Sequence, residues 1–157
     1  MPQFALRLVE EGDLDAIFDY MRDPESVRMA AFTAEDPNDR SAFDAHMAKI
    51  MSSPETWVRA ITRDSRLVGT IGSWVSDGVT EVTYWIDRAC WGQGIATQAL
   101  RMLLEEIPAR PIRARAASDN AGSLRVLQKA GFRPIGKDVG FARGRAAEIE
   151  ETILELP

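Results

Sequence analysis

"EVTYWIDRACWGQGIATQAL", Glu81 to Leu100, runs from a β-branched and aromatic stretch through two closely spaced glycines into an apolar pattern at helical spacing. That succession predicts a strand, a tight turn and a helix. A helix start carries unpaired N–H groups and partial positive charge, so a strand, a Gly-rich turn and a helix together form a ready anion site. Gly92 and Gly94 would let the backbone approach a phosphate, Ala96 would keep the surface small, and Thr97 could add a hydroxyl. No GKS/T follows, which excludes a P-loop, and no third glycine stands at dinucleotide-fold spacing. Spacing alone leaves two readings, a phosphate cradle and a helix start capped by glycine.

Before this stretch, "WVRAITRD" and "SRLVGTIGSWVS" join "VTEVTYWID" in a predicted antiparallel meander. Further upstream, "FALRLV" reads as a strand with Phe4, Leu6 and Leu8 on one side. Asp13 is placed to cap a helix to about Met21, and Phe43, Met47 and Ile50 set a second helix over about 38–51, ended by Pro54. Downstream, Ala96, Ala99, Leu100, Leu103 and Ile107 form the stripe of a helix over about 94–107 that Pro108 and Pro111 close. "IRARAAS" then reads as a strand, and "DNAGSLRVLQKAGF" as a helix capped by Asp119 or Asn120. Gly131 takes the left-handed position after that helix and brings Phe132 back onto Leu127. Strands near 132–137 and 148–156 finish the chain. The order is βααβββαβαββ, an α/β (α+β) fold with a mixed sheet and helices packed on it, expected to be one domain over 1–157.

The chain has 157 residues, 45% of them hydrophobic and 27% charged, ordinary values for a globular protein. No apolar run reaches the ~18 residues of a membrane helix, and "MPQFALRLVEEGD" lacks the basic-then-apolar pattern of a secretory signal. Cys90 is the only cysteine, so an intrachain disulfide and a CxxC metal site are excluded. A cytoplasmic protein with no membrane association and no metal is expected. A net charge of −5 argues against nucleic acid, although a local basic patch could still bind an anionic cofactor. His46, the only histidine, sits in the second helix with no partner pattern, so Cys90 has no adjacent base and reads as a small, partly buried residue. Trp57, Trp74, Trp85 and Trp91 read as core and site wall.

Some 24 residues after the turn, Asn120 and Ser123 open "VLQKAGF", so two helix starts could face one ligand. With these residues the chain resembles the GCN5-related N-acetyltransferase (GNAT) family, in particular the branch similar to ribosomal-protein alanine acetyltransferases. The likeness spans nearly the whole chain and is strongest from Glu81 to Phe132. It implies a single GNAT domain with a mixed, mainly antiparallel sheet flanked by helices, and acetyl-CoA as co-substrate. It also implies that the backbone amides of "WGQGIA", with Gly92, Gln93, Gly94, Ile95 and Ala96, hold the pyrophosphate together with Thr97. Trp91 stands where Gln or Arg is usual. "EVTYWID" is similar to the family's splayed strand, which implies Trp85 and Ile86 as backbone contacts to pantetheine, and Asn120 is an implied cofactor contact.

In the family, an amine attacks the thioester directly in a ternary complex. The amine must lose a proton, the developing oxyanion needs donors, and the departing thiolate needs a hydrogen bond. Glu81 is the candidate base, set against a solvent-facing strand glutamate. The backbone N–H groups near Trp85 and Ile86 are the candidate oxyanion donors. The family's tyrosine position holds Leu127, and the only tyrosines are Tyr20 and Tyr84, so Ser123 is the candidate partner of the sulfur, set against a local cap. Arg125 and Lys129 could meet the 3′-phosphate of CoA or form a solvated face. The acceptor, a small-molecule, peptide or protein amine, would be chosen by residues 14–51 and by the loop "DVGFARGR", Asp138 to Arg145. The alternatives are a non-catalytic acyl-CoA-binding sensor or interaction module and a binder of another phosphorylated nucleotide. Exposed strand edges permit a homodimer.

Overall fold

The computed structural model describes all 157 residues. One seven-stranded sheet runs in the order β1-β2-β3-β4-β5-β7-β6. Its strands are β1 (Phe4–Arg7), β2 (Trp57–Arg63), β3 (Arg66–Ser76), β4 (Val79–Ile86), β5 (Ile112–Ala117), β6 (Arg133–Ala142) and β7 (Ala147–Leu156). All neighbours are antiparallel except β4 and β5. The helices are α1 (Leu14–Arg22), α2 (Pro24–Ala30), α3 (Arg40–Ser52), α4 (Ile95–Glu106) and α5 (Ala121–Lys129).

Alternation along β2 divides the core between two faces, because successive strand residues point to opposite sides. Ile61 joins Val82, Leu100, Leu103, Leu127 and Phe132 under α4 and α5, whereas Ala60 joins Val9, Ile17 and Met47 under α1 and α3. Leu100 and Leu103 are fully buried, and each contributes roughly 2 kcal/mol by leaving water. The α4 stripe begins one residue earlier than its sequence pattern predicts. Ile95 is buried with Ala99, and Ala96 turns toward a cleft. Gly94 starts the helix at φ +76, which sets the first turn's phase. α5 ends as its sequence predicts: Gly131 lies at φ +100, and the Gly131 and Phe132 N–H groups donate to Gln128 and Leu127 carbonyls, both at 3.0 Å.

Two elements differ from the sequence expectation. The segment 24–30, too short to show periodicity, is a helix with Pro24 in its first turn, and Asp23 accepts from Ser26 N–H at 3.0 Å. "DVGFARGR" is not a loop: Asp138–Ala142 pairs with Ala147–Glu151 as the end of β6, leaving a tight turn at 143–146. Its cross-strand partners on β7 are what extend the strand beyond the Lys137 boundary.

The one parallel pair is also the shortest pairing in the sheet. β4 and β5 are joined only at Thr80↔Ile112 and Glu81↔Arg113, and beyond Glu81 the two strands part. No helix is long and apolar enough to cross a membrane.

Candidate active site

The gap between β4 and β5 opens into a cleft of about 590 Å³, within the ordinary range of ligand sites. Its floor is the end of β4, and the starts of α4 and α5 face it from the sheet side. The α2 residues Ser26, Met29 and Ala30 supply the opposite wall. No sequence pattern marked these α2 residues, although Asp-Pro at 23–24 is a cap followed by a helix-starting proline.

At α4, Gly92 and Gly94 both hold positive φ, and a Cβ at either would meet nothing within 4 Å, so the space in front of the turn is open. Gly94 offers no side-chain cap, and the N–H groups of Ile95, Ala96 and Thr97 find no acceptor in the protein. Three donors at the positive end of a helix thus face the cleft, a layout that fits a pyrophosphate. Gly92, Gly94, Ile95, Ala96 and Thr97 all line it. Gln93 does not: its side chain accepts from Arg63 Nη1 on β2.

The end of β4 presents different groups than its sequence implies. Trp85 turns its carbonyl toward β3, where a Cβ on Gly69 would lie 2.3 Å from it, and Asp87 N–H donates to Val68. By alternation, the backbone groups of Ile86 and the N–H of Tyr84 point into the gap, and the Ile86 carbonyl accepts from Trp91 Nε1 at 3.0 Å. Trp85 contributes its ring to the cleft, anchored by Nε1 to the Tyr20 carbonyl at 2.9 Å.

At α5, Asn120 is the helix cap, accepting from Ser123 N–H at 3.2 Å and donating to the Met29 carbonyl at 3.4 Å. Ser123 Oγ lies 2.8 Å from the Tyr84 hydroxyl, which is also 3.3 Å from the Ser123 carbonyl. Burial pushes the Tyr84 phenol up to about 12, partly offset by the Ser123 hydrogen bond. Tyr84 is thus a site residue that the sequence comparison with Leu127 passed over. Its period-2 relation to buried Val82 placed it on the α5 face all along. Arg125 and Lys129 line the α5 rim of the cleft.

Glu81 sits outside the cleft, at the point where β4 and β5 separate. Its side chain is mostly buried, and Oε1 is 3.4 Å from Arg115 Nε. Arg115 also reaches Glu151 at 3.2 Å and Asp138 at 3.8 Å, so one guanidinium serves three carboxylates. Cys90 lines the cleft half-buried, and burial, with Asp87 beside it, pushes its thiol up, away from a reactive thiolate. His46 lies exposed on α3.

Residues 3–133 match the family model described as acetyltransferase (GNAT) domain. Over 81 residues the chain is 36% identical to the probable N-acetyltransferase YjcK of Bacillus subtilis strain 168, a match covering 46% of this chain and 45% of YjcK. The fold is shared with spermidine N-acetyltransferase from Vibrio cholerae in complex with CoA and spermine (TM-score 0.81, 18% identity, 98% of this chain and 95% of that one). It is shared too with ribosomal-protein-alanine N-acetyltransferase from Brucella melitensis (TM-score 0.81, 18% identity, 97% and 98% covered).

Proposed function

The chain belongs to the GNAT family of acetyltransferases, and from that premise we propose that it transfers an acetyl group from acetyl-CoA to a primary amine by direct attack in a ternary complex. The observation that carries this reading is the start of α4: three unpartnered N–H groups behind a positive-φ glycine turn, facing an open cleft between splayed strands. Acetyl-CoA, when bound, supplies a thioester activated toward amines. The Ile95, Ala96 and Thr97 amides hold its pyrophosphate, with Arg125 and Lys129 favouring anionic groups at the rim. The Ile86 and Tyr84 N–H groups, free on the β5 side, are donors for a carbonyl oxygen. Ser123 Oγ, braced by Tyr84, donates to the sulfur. Glu81 accepts the proton of the amine, directly or through water.

The acceptor enters from the side of Glu81, where the surrounding carboxylates outnumber Arg115 and favour a cation. A small-molecule, peptide or protein amine fits this requirement. The continuous sheet supports one domain over 1–157, and its strand edges would allow pairing as a homodimer. The second reading, an acyl-CoA-binding sensor, is favoured by one observation: the only carboxylate assigned as base stands outside the cleft, paired with Arg115.

Calorimetric titration with acetyl-CoA, with ATP as control, tests the pocket. Micromolar, acetyl-CoA-selective binding supports it, and a screen of amines with thiol-release detection then separates enzyme from sensor. Equal affinity for ATP would favour a general nucleotide site.

A further inference from the structure

The α2 wall has little to hold it in place by itself. It is seven residues long, and Ser26 is its only buried residue, so neither helix cooperativity nor an apolar anchor fixes its position. Contacts at its two ends do so instead, together with the long 3.4 Å bond from Asn120 Nδ2 to the Met29 carbonyl. At the first, Asp23 pairs with Arg88 Nε at 2.8 Å, on the segment leading to the glycine turn. At the second, the β6–β7 turn reaches across: Gly144 N–H donates to the Ala31 carbonyl at 2.8 Å, where a Cβ on Gly144 would lie 2.3 Å from the Val27 carbonyl. Arg145 Nε donates to the Arg28 carbonyl, and its two Nη groups donate to the Asp119 carboxylate at 2.7 and 2.8 Å. Fully buried Ala31, Ala117 and Ala142 pack together and let these segments approach.

We propose that Arg145 is a positioning residue for the cofactor cleft, which it does not line: by tying α2 to the start of α5 it sets the distance between the wall of Met29 and Ala30 and the wall of Ala121 and Ser123. This rests on the acetyl-CoA reading above. The side chain is suited to the task, since a planar fork bonded at three points and only 15% exposed fixes direction as well as distance. The Asp119 carboxyl responds in kind, held below the usual carboxylate range by the Arg145 hydrogen bonds. The tip of "DVGFARGR" therefore acts on the cofactor side of the site.

The test is steady-state kinetics and direct acetyl-CoA titration of Arg145→Gln, Asp119→Asn, their double variant and Arg145→Lys, with thermal unfolding of each. Arg143→Ala, which breaks an exposed 3.7 Å contact to Glu35 on the same turn, is the control. Arg145→Gln and Asp119→Asn should each raise both KM and Kd for acetyl-CoA at least about fivefold with kcat changed less than about twofold. The double variant should be no worse than Arg145→Gln, because the pair acts as a unit. Arg145→Lys, which keeps the charge and folds most readily but loses the fork, should fall between, and Arg143→Ala should match the unaltered protein. Acetyl-CoA affinity within twofold of normal in Arg145→Gln and Arg145→Lys overturns the proposal, as does a loss of unfolding temperature with KM unmoved. If the unaltered protein binds no acetyl-CoA, the functional reading itself has failed and this one with it.

Discussion

The Tyr84 hydroxyl lies 2.8 Å from Ser123 Oγ and joins the end of the splayed strand to the third residue of α5. Tyr84 has one proton and two acceptors within reach, the Ser123 oxygen and, at 3.3 Å, the Ser123 carbonyl. Only when Tyr84 donates to Oγ is the serine proton free to point into the cleft, so the tyrosine governs what the serine can do.

Ser123→Ala should therefore lower kcat about tenfold, the value of one hydrogen bond of ~1.4 kcal/mol made in the transition state. Tyr84→Phe should lower it by a smaller factor, and the double variant should resemble Ser123→Ala. With the Tyr84 phenol pushed up to about 12, it stays protonated through the working range, so Tyr84→Phe should leave the shape of the pH–rate profile below pH ~10 unchanged. Single-turnover thiol release at several pH values checks this. A Ser123→Ala rate within twofold of normal removes the serine from the chemistry.

Gly94 decides whether the turn is a cradle. The open space before it means that a side chain there clashes with nothing in the protein and projects where a bound phosphate would sit. The φ of +76 adds a backbone cost of roughly 1 kcal/mol for any other residue. Gly94→Trp should therefore leave a folded protein, by circular dichroism, whose acetyl-CoA affinity has dropped at least about tenfold. Unchanged affinity would show that the pyrophosphate lies elsewhere.

The parts of this molecule legible in the sequence are those set by local rules. The β4, α4 and α5 segments carry their own periodicity, and Gly131 announces the end of α5 by the conformation it alone adopts readily. The α2 wall was illegible because seven residues with one buried position produce no stripe. The length of β6 was hidden for another reason: its pairing with β7 comes from tertiary contact, while its glycines and polar residues read as loop. Tyr84 was missed because matching one helix position to Leu127 looks along the chain, and the hydroxyl reaches Ser123 from a neighbouring strand.

Glu81→Gln separates acceptor chemistry from cofactor binding. Because Glu81 stands outside the cleft, the substitution should leave acetyl-CoA affinity within about twofold and lower kcat/KM for the amine by about 10²-fold, as expected for loss of a general base. A kcat/KM within about threefold of normal would assign proton removal to another group or to water.

Asp13 links acid stability to the site through α1. Its buried carboxylate takes two hydrogen bonds from Arg7, at 2.7 and 2.8 Å, and one from Glu10 N–H at 2.8 Å, immediately before the helix whose Tyr20 carbonyl anchors Trp85. The Arg7 hydrogen bonds hold the Asp13 carboxyl below the usual carboxylate range, ahead of the opposing effect of burial. The folded state thus prefers the ionised form, so the stabilisation is fully present above the unfolded value of about 4 and is lost as pH falls through the lower folded value. Asp13→Asn should destabilise the protein by about 2 kcal/mol at pH 7 in urea unfolding. The gap between the two proteins should narrow steadily as the pH drops below about 4. A gap that is the same at pH 7 and pH 3 would mean that packing at Asp13, rather than its charge, supports the start of α1.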